Sequence, residues 1–272
     1  MYKSLTTEDI RRLLKVPENY KVDGLLVSGT NPKAKEYLHL SEALEKLGVP
    51  YKEEIFQSGF FSDVKILMIG GKRIWFDVVY GTAYLSELIH VASMLGSKAN
   101  VLLGSCGALL KSLTTGDTII PRASYGNESS IRMYQRDNKT YLYESDPRLN
   151  VELKKHLATR KTINEGTLVT VQAMMAETKD DVDEWVKKGY AGVDMESATV
   201  FAVSNHFNVP SAALLYVADN LVKNELVSDP SYESLRAQRT AIHKENCEAA
   251  LKVLGDLEAS NSSLSKTLQQ FL

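Results

Sequence analysis

Acidic side chains border two apolar segments in the second half of the chain. The segment AGVDMESATVFAV, residues 191–203, places Asp194 and Glu196 on either side of Met195, just before an apolar stretch of helical length. A buried carboxylate needs a partner. These two acids therefore either begin a solvated helix, where they interact with the positive end of its dipole, or hold a ligand. Asp219, at the end of the apolar segment SAALLYVAD, is either a turn residue or an acid that donates a proton.

Small polar loops are predicted after three other apolar segments. In open α/β sheets, ligands bind beside the carboxyl ends of the strands, so these loops are expected to meet around one site. Gly29 and Gly104 also have a simpler explanation, because glycine is the usual residue where a strand bends sharply. The three loops are Ser28-Gly29-Thr30-Asn31, Gly104-Ser105-Cys106-Gly107 and the region of Gln172, Ala173 and Met174.

Common cofactor and metal motifs are absent from the sequence. It contains no GxxxxGK[ST], GxGxxG or GxSxG pattern. Cys106 and Cys247 are expected to be reduced thiols. The five histidines lack the spacing of metal ligands and are interpreted as ordinary surface or packed residues: His39, His90, His156, His206 and His243. We therefore expect neither a metal nor a cofactor.

Short apolar segments alternate with helical stretches, which is typical of an α/β sheet. The predicted strands are 23–29, 99–105, 117–124, 166–172 and 211–219, with a hairpin over 64–81 around Gly70-Gly71. The predicted helices are 5–16, Pro32 to about Leu47 with Asn31 as its cap, 83–96, 147–158, 179–188, 195–207 and 230–257. No repeat or linker divides the chain, so we expect one α/β domain.

Composition narrows the range of partners. The chain has 272 residues and a formal net charge of −2, which provides no electrostatic basis for binding nucleic acid or an anionic membrane. No apolar run approaches the roughly 18 residues that a bilayer-spanning helix needs, and the charged N-terminus does not resemble a signal peptide. We expect a cytoplasmic protein with no nucleic-acid or membrane partner.

Four motifs in order, GSCGAL, GDTIIP, GVDMESATVFAV and LLYVADN, resemble the nucleoside phosphorylase/nucleosidase superfamily, which includes purine nucleoside phosphorylase, uridine phosphorylase and methylthioadenosine nucleosidase. The resemblance covers about residues 23–255. It implies a mixed central sheet flanked by helices over 21–258, with an N-terminal helical extension at 1–20 and a C-terminal tail at 259–272. It also implies a homodimer or a ring of dimers.

The resemblance assigns roles in cleaving an N-glycosidic bond. Glu196 would accept hydrogen bonds from the ribose hydroxyls and stabilise the sugar as it becomes cationic, while Met195 packs against the sugar. Asp194 would be a second polar contact or a helix cap. Asp219 would donate a proton to N7 of a departing purine, braced by Asn220.

The remaining substrate contacts follow from the same resemblance. Met174 and Gln172 would lie at the base, where relatives carry an aromatic residue and an aspartate. Phosphate, the co-substrate, would bind at Gly29, Lys33 and Ser105.

The sequence departs from this pattern at the phosphate site. Leu102 and Leu103 stand where phosphorylases carry an arginine, Lys33 replaces another, and YKEEIFQSGFF contains none. The water-activating glutamate of hydrolytic members is not evident either, since Glu36 is expected too far into its helix. The prediction is a phosphorylase acting on a purine nucleoside, with a hydrolytic nucleosidase or a non-catalytic nucleoside-binding protein as alternatives. The base, the 5′ substituent and the choice between ribose and deoxyribose stay open.

Overall fold

A computed structural model of the chain describes residues 2–30, 32–157 and 163–268, without the side chains of Lys3 and of 256–268. The predicted cap Asn31, the last residue of the predicted helix 147–158 and residues 269–272 of the tail lie outside the described part. Among the described residues, no helix combines the length and apolarity needed to cross a bilayer.

Ten strands and nine α-helices alternate along the described chain. The strands are β1 Gly24–Ser28, β2 Tyr51–Phe56, β3 Val64–Ile69, β4 Lys72–Val78, β5 Asn100–Ala108, β6 Thr118–Tyr125, β7 Leu142–Glu144, β8 Ile163–Thr170, β9 Gly192–Asp194 and β10 Ser211–Asn220. The helices are α1 Thr7–Leu14, α2 Lys33–Leu47, α3 Ala83–Met94, α4 Ser129–Tyr134, α5 Pro147–His156, α6 Lys179–Lys187, α7 Ser197–His206, α8 Pro230–Ser234 and α9 Arg236–Leu268.

Local sequence signals explain several of these boundaries. A capping box of Thr6 and Asp9 begins α1, because each residue satisfies a backbone N–H of the first turn. Asp146 caps α5, and Pro147 takes the first helical position, where its missing N–H costs nothing. The β3–β4 hairpin turns at Gly70 and Gly71, whose φ angles of 58° and 81° favour glycine.

All ten strands belong to one mixed sheet. β1 lies between β4 and β5 and is parallel to both, and β4, β3 and β2 continue the sheet as an antiparallel meander. At the other side, β10 pairs in parallel with β5 and antiparallel with β6. Since β6 pairs with β8, β8 with β9 and β9 with β5, these five strands form a closed circuit of pairs.

Helices cover both faces of the sheet. Alternate residues of β1 point to opposite sides: Leu25 and Val27 join one apolar cluster, and Leu26 joins the other. The first cluster includes buried residues of α1, α3, α4 and α7, and the second includes residues of α2, α5 and α9. The expected single α/β domain with a mixed, helix-flanked sheet is thus confirmed.

The structure differs from the predicted elements in several places. β2 is absent from the prediction because this outer strand is largely exposed and lacks apolar alternation. The predicted helix 195–207 instead begins at Ser197, after the three-residue strand β9. The predicted helix 230–257 is interrupted at Leu235, and its second part, α9, extends to Leu268. Gly104–Gly107, predicted as a loop, lies inside β5.

Candidate active site

A cavity of about 440 Å³ lies where the ends of β1, β5, β9 and β10 meet α2 and α9. It brings together most of the residues that the sequence analysis selected. The predicted site residues that line it are Gly29, Ser105, Met174, Asp194, Met195, Glu196 and Asp219. Strand pairing explains this convergence, because β1 and β10 both run parallel to β5 and their carboxyl ends therefore lie at the same edge.

Glu196 is held in place between the end of β9 and the start of α7. Its side chain is almost completely buried, and its Oε1 accepts a hydrogen bond of 2.9 Å from the backbone N–H of Gly81. A Cβ at position 29 would lie only 2.8 Å from Glu196 Oε2, so glycine allows the carboxyl to sit against β1. Burial and the nearby Asp194 charge raise the pKa of Glu196 to about 8.

That pKa refines the predicted role of Glu196. A carboxyl with a pKa near 8 is mostly neutral at pH 7 before substrate binds. A cation next to this carboxyl favours its ionised form, so Glu196 would interact more strongly with a cationic group in the cavity than with a neutral one. Differential binding of this kind is what lowers a reaction barrier.

Asp194 is a helix cap as well as a cavity residue. Its Oδ1 accepts from the Thr170 hydroxyl at 2.7 Å, and its Oδ2 accepts from the Ser197 backbone N–H at 2.7 Å. Burial raises the pKa of Asp194, and these hydrogen bonds oppose the shift. Of the two roles considered for Asp194, the structure favours the cap, because both oxygens already bond to α7 or β8.

Asp219 lies near the end of β10, opposite Gly107 of β5. The register of the two strands shifts between Val217 and Asp219, and a Cβ at position 107 would come within 3.2 Å of Asp219 Oδ1. Burial raises the pKa of Asp219 to about 6, although the backbone of Val227 and the charge of Arg239 oppose the shift. A carboxyl with this pKa is partly protonated near neutrality and can act as a general acid.

Cationic side chains of α2 and α9 also face the cavity: Lys35, Arg236 and Arg239. Arg239 is only 6% exposed, and its guanidinium carbon lies 3.5 Å from the centre of the Tyr232 ring. Its Nη1 has no hydrogen-bond partner among the described residues. Burying a guanidinium without a full set of hydrogen-bond acceptors costs folding free energy. An anion in the cavity would supply the missing acceptor.

A buried cluster of Glu36, His39 and His243 also lines the cavity and was not predicted from the sequence. Glu36 Oε2 accepts from Ser28 Oγ at 2.7 Å and lies 2.5 Å from His243 Nε2, and Glu36 Oε1 lies 3.3 Å from His39 Nδ1. Burial would raise the pKa of Glu36, but contacts with His243, His39 and Ser28 hold it at about 2.

This cluster corrects one expectation. Glu36 lies in the first turn of α2 and lines the cavity, so it is not too far into the helix. His39 and His243 line the cavity as well and are buried, so of the two positions considered for the histidines, surface or packed, these two are packed. The Glu36–His39 spacing of three residues on one helix is the only local sign of this cluster, since His243 is 207 residues from Glu36.

Three predicted site residues do not line the cavity. Lys33 lies 3.1 Å from the fully buried carboxylate of Asp77, which needs a counter-charge. Gln172 accepts from the Thr82 backbone and donates to the Met195 carbonyl. Asn220 donates to two backbone carbonyls of the β5–β6 connection and caps the following turn. In the structure, Lys33 thus pairs with Asp77, Gln172 bonds to backbone beside the cavity, and Asn220 braces backbone rather than Asp219.

The fold and the cavity define an α/β protein with a small-molecule site at the carboxyl ends of its strands. The sequence model of the phosphorylase superfamily matches residues 27–254. The chain belongs to this superfamily, whose members are nucleoside phosphorylases or nucleosidases.

Relatives of both reaction types are similar to the chain. A DeoD-type purine nucleoside phosphorylase of Clostridium beijerinckii is 24% identical over 220 residues, which cover 79% of this chain and 88% of the relative. Purine nucleoside phosphorylase from Toxoplasma gondii has a similar fold, with a TM-score of 0.69, 14% identity and coverage of 91% and 96% of the two chains. Futalosine hydrolase of Helicobacter pylori gives a TM-score of 0.65 at 18% identity, with coverage of 86% and 98%.

Proposed function

We propose that the protein cleaves the N-glycosidic bond of a purine nucleoside with phosphate, giving the free base and ribose or deoxyribose 1-phosphate. The observation that carries the proposal is the placement of Glu196 and Asp219 in one cavity with Ser105 and Gly29. The reaction needs an acidic group for the leaving base, an anion for the cationic sugar and a site for the nucleophile, and this cavity has candidates for all three.

Glu196 is proposed to act on the sugar. The C1′–N bond lengthens before the nucleophile has fully bonded, so positive charge develops on the ribose ring. Glu196 accepts hydrogen bonds from the ribose hydroxyls, and its ionised form stabilises that charge. Met195, which lines the same cavity, packs against the apolar face of the sugar.

Asp219 is proposed to act on the leaving base. Electrons of the breaking bond move into the purine ring, and a proton from the Asp219 carboxyl neutralises them at N7. The raised pKa of about 6 supports this role, because general acids work best with a pKa near the working pH.

Phosphate as the nucleophile is supported by the buried side chain of Arg239. Its unpartnered Nη1 and Lys35, which lines the same cavity, provide positive charge that the loops lack. Arg236 also lines the cavity but is paired with Glu233. Ser105 and the backbone of Gly29 line the same cavity and would complete an anion site.

Hydrolysis is a second candidate, favoured by a specific observation. The Glu36 carboxylate is ionised, buried and lines the cavity, so it could accept a proton from a water molecule that attacks C1′. The same sugar and base residues would serve this reaction.

A comparison of base release with and without phosphate tests the proposal. Inosine, adenosine, guanosine and uridine are incubated with the protein, and free base and sugar 1-phosphate are measured. Phosphorolysis predicts base release that requires phosphate and equals the sugar 1-phosphate formed. Equal release in phosphate-free buffer would assign the protein to the hydrolytic class. Absence of cleavage with any of the four nucleosides would contradict both enzymatic proposals.

A further inference from the structure

We propose that Glu36, His39 and His243 form a binding site for a divalent transition-metal ion of the zinc type. The three side chains bring one potential ligand atom each to within 4.8 Å of one another. They come from two helices, α2 and α9, and are 2%, 4% and 2% exposed. Three observations support this site: the geometry of the cluster, the chemistry of its donor atoms and its access to the cavity.

The first argument is the geometry of Glu36 and His39. Their atoms Oε1 and Nδ1 lie 3.3 Å apart, an ion-pair distance, but neither makes a hydrogen bond of good geometry within the described ranges. Buried polar atoms are rarely left unpaired. Ligands placed about 2.0–2.1 Å from a tetrahedral zinc ion lie about 3.3 Å from each other, which is the separation seen here. An ion between the two atoms would satisfy both.

The second argument is the chemistry of the donors. Two imidazoles and one carboxylate are a ligand set that suits zinc and similar ions, whereas magnesium and calcium prefer oxygen ligands. The second oxygen of Glu36, Oε2, accepts a hydrogen bond from Ser28 Oγ, the kind of outer contact that orients a ligating carboxylate.

The third argument is access. All three residues line the cavity that contains Ser105 and Glu196, so a bound ion would have three protein ligands and one position facing the cavity. His243 now lies 2.5 Å from Glu36 Oε2, a hydrogen-bonding distance. Binding would replace this hydrogen bond with a bond from His243 to the ion. The inference concerns metal binding and does not depend on the proposed function.

Metal titration of the full chain tests the site directly. The protein is first treated with a chelator, and Zn²⁺ binding is measured in competition with a chromophoric chelator. Co²⁺ serves as a spectroscopic probe, because four-coordinate Co²⁺ absorbs visible light far more strongly than the six-coordinate ion. We expect one Zn²⁺ per chain, an intense Co²⁺ spectrum and no comparable binding of Mg²⁺.

Matched variants assign the binding to these residues. His39→Gln and His243→Gln should each weaken Zn²⁺ binding by more than about 100-fold, and Ser28→Ala by roughly 10-fold, since outer contacts typically contribute 10- to 100-fold. His156→Gln, at an exposed position in α5, should bind like the wild type. The inference is overturned if wild-type protein binds no stoichiometric Zn²⁺, if bound Co²⁺ is six-coordinate, or if His39→Gln and His243→Gln bind like His156→Gln. The wild-type titration decides even if a variant fails to fold. Because it measures metal binding and not activity, its failure is distinct from failure of the proposed function.

Discussion

Replacement of Glu196 by glutamine tests whether this carboxyl acts as an anion beneath the sugar. The substitution preserves size and one hydrogen-bonding oxygen but removes the charge. Two opposite charges about 4 Å apart interact by about 4 kcal/mol at an effective dielectric constant of 20, equivalent to a rate factor of about 10³. With a pKa of about 8, only about a tenth of the molecules carry the anion at pH 7. We therefore expect kcat/KM to fall about 100-fold at pH 7.

The ratio of wild-type to Glu196→Gln activity should depend on pH. The ionised fraction of Glu196 rises about tenfold per pH unit below its pKa and is nearly complete about one unit above it. The ratio should therefore increase from about 10 at pH 6 to about 10³ at pH 9, levelling above pH 8. The assay is base release at low nucleoside concentration, with both proteins measured at each pH so that titration of Asp219 affects both alike. Glu184→Gln, on the exposed surface of α6, is the matched control and should give a ratio near one.

A ratio that stays constant with pH would refute this reasoning. It would mean that glutamine impairs the site through shape or hydrogen bonding, and that the charge of Glu196 plays no part. A Glu196→Gln variant with near-normal rates at every pH would remove Glu196 from the mechanism altogether.

Four further predictions address stability and the other site residues. Because folding raises the pKa of Glu196 from 4.5 to about 8, the wild type should lose about 1.4 kcal/mol of unfolding free energy per pH unit across that interval. The Tm of Glu196→Gln relative to that of the wild type should therefore rise steadily from pH 5 to pH 8, and a Tm difference that does not change with pH would contradict the raised pKa. Asp219→Asn should reduce phosphorolysis of inosine by roughly 10²–10⁴-fold but that of 7-methylinosine far less. The base of 7-methylinosine is already cationic in the nucleoside and leaves as a neutral molecule without a proton from Asp219. Equal losses would make Asp219 structural. Gly29→Ala should lower kcat about 100-fold by displacing the Glu196 carboxyl. Gly59→Ala is the control and should leave kcat unchanged, because its Cβ would meet nothing within 4 Å. Similar rates for the two variants would contradict the close approach of Glu196 to Gly29. Arg239→Gln should raise the KM for phosphate roughly 10- to 100-fold, with a smaller change in the KM for nucleoside. An unchanged KM for phosphate would mean that phosphate does not bind beside Arg239.

Part of the candidate site can be predicted from the sequence because its residues lie at strand ends. β1, β5 and β10 are continuous apolar segments with small or acidic residues at or near their carboxyl ends, and parallel pairing brings those ends together. Gly29, Ser105 and Asp219 could therefore be selected without coordinates, whereas Glu196 was selected from the motif GVDMESATVFAV and the resemblance that it carries. Short or exposed elements carry weaker signals, so the three-residue strand β9 and the outer strand β2 were not predicted.

The arginine and histidine side chains of the cavity could not be predicted in this way, because they come from helices that face the strand ends. Arg236, Arg239 and His243 are spaced by three and four residues in α9, which places them on one face of a helix. That spacing alone is equally compatible with a solvated surface. Only the packing of α9 against α2 and β10 turns this face toward the cavity and brings His243 to Glu36. The arginine missing before β5's glycines thus does not imply a site without cations, because a helix distant in sequence can supply the charge at the same place.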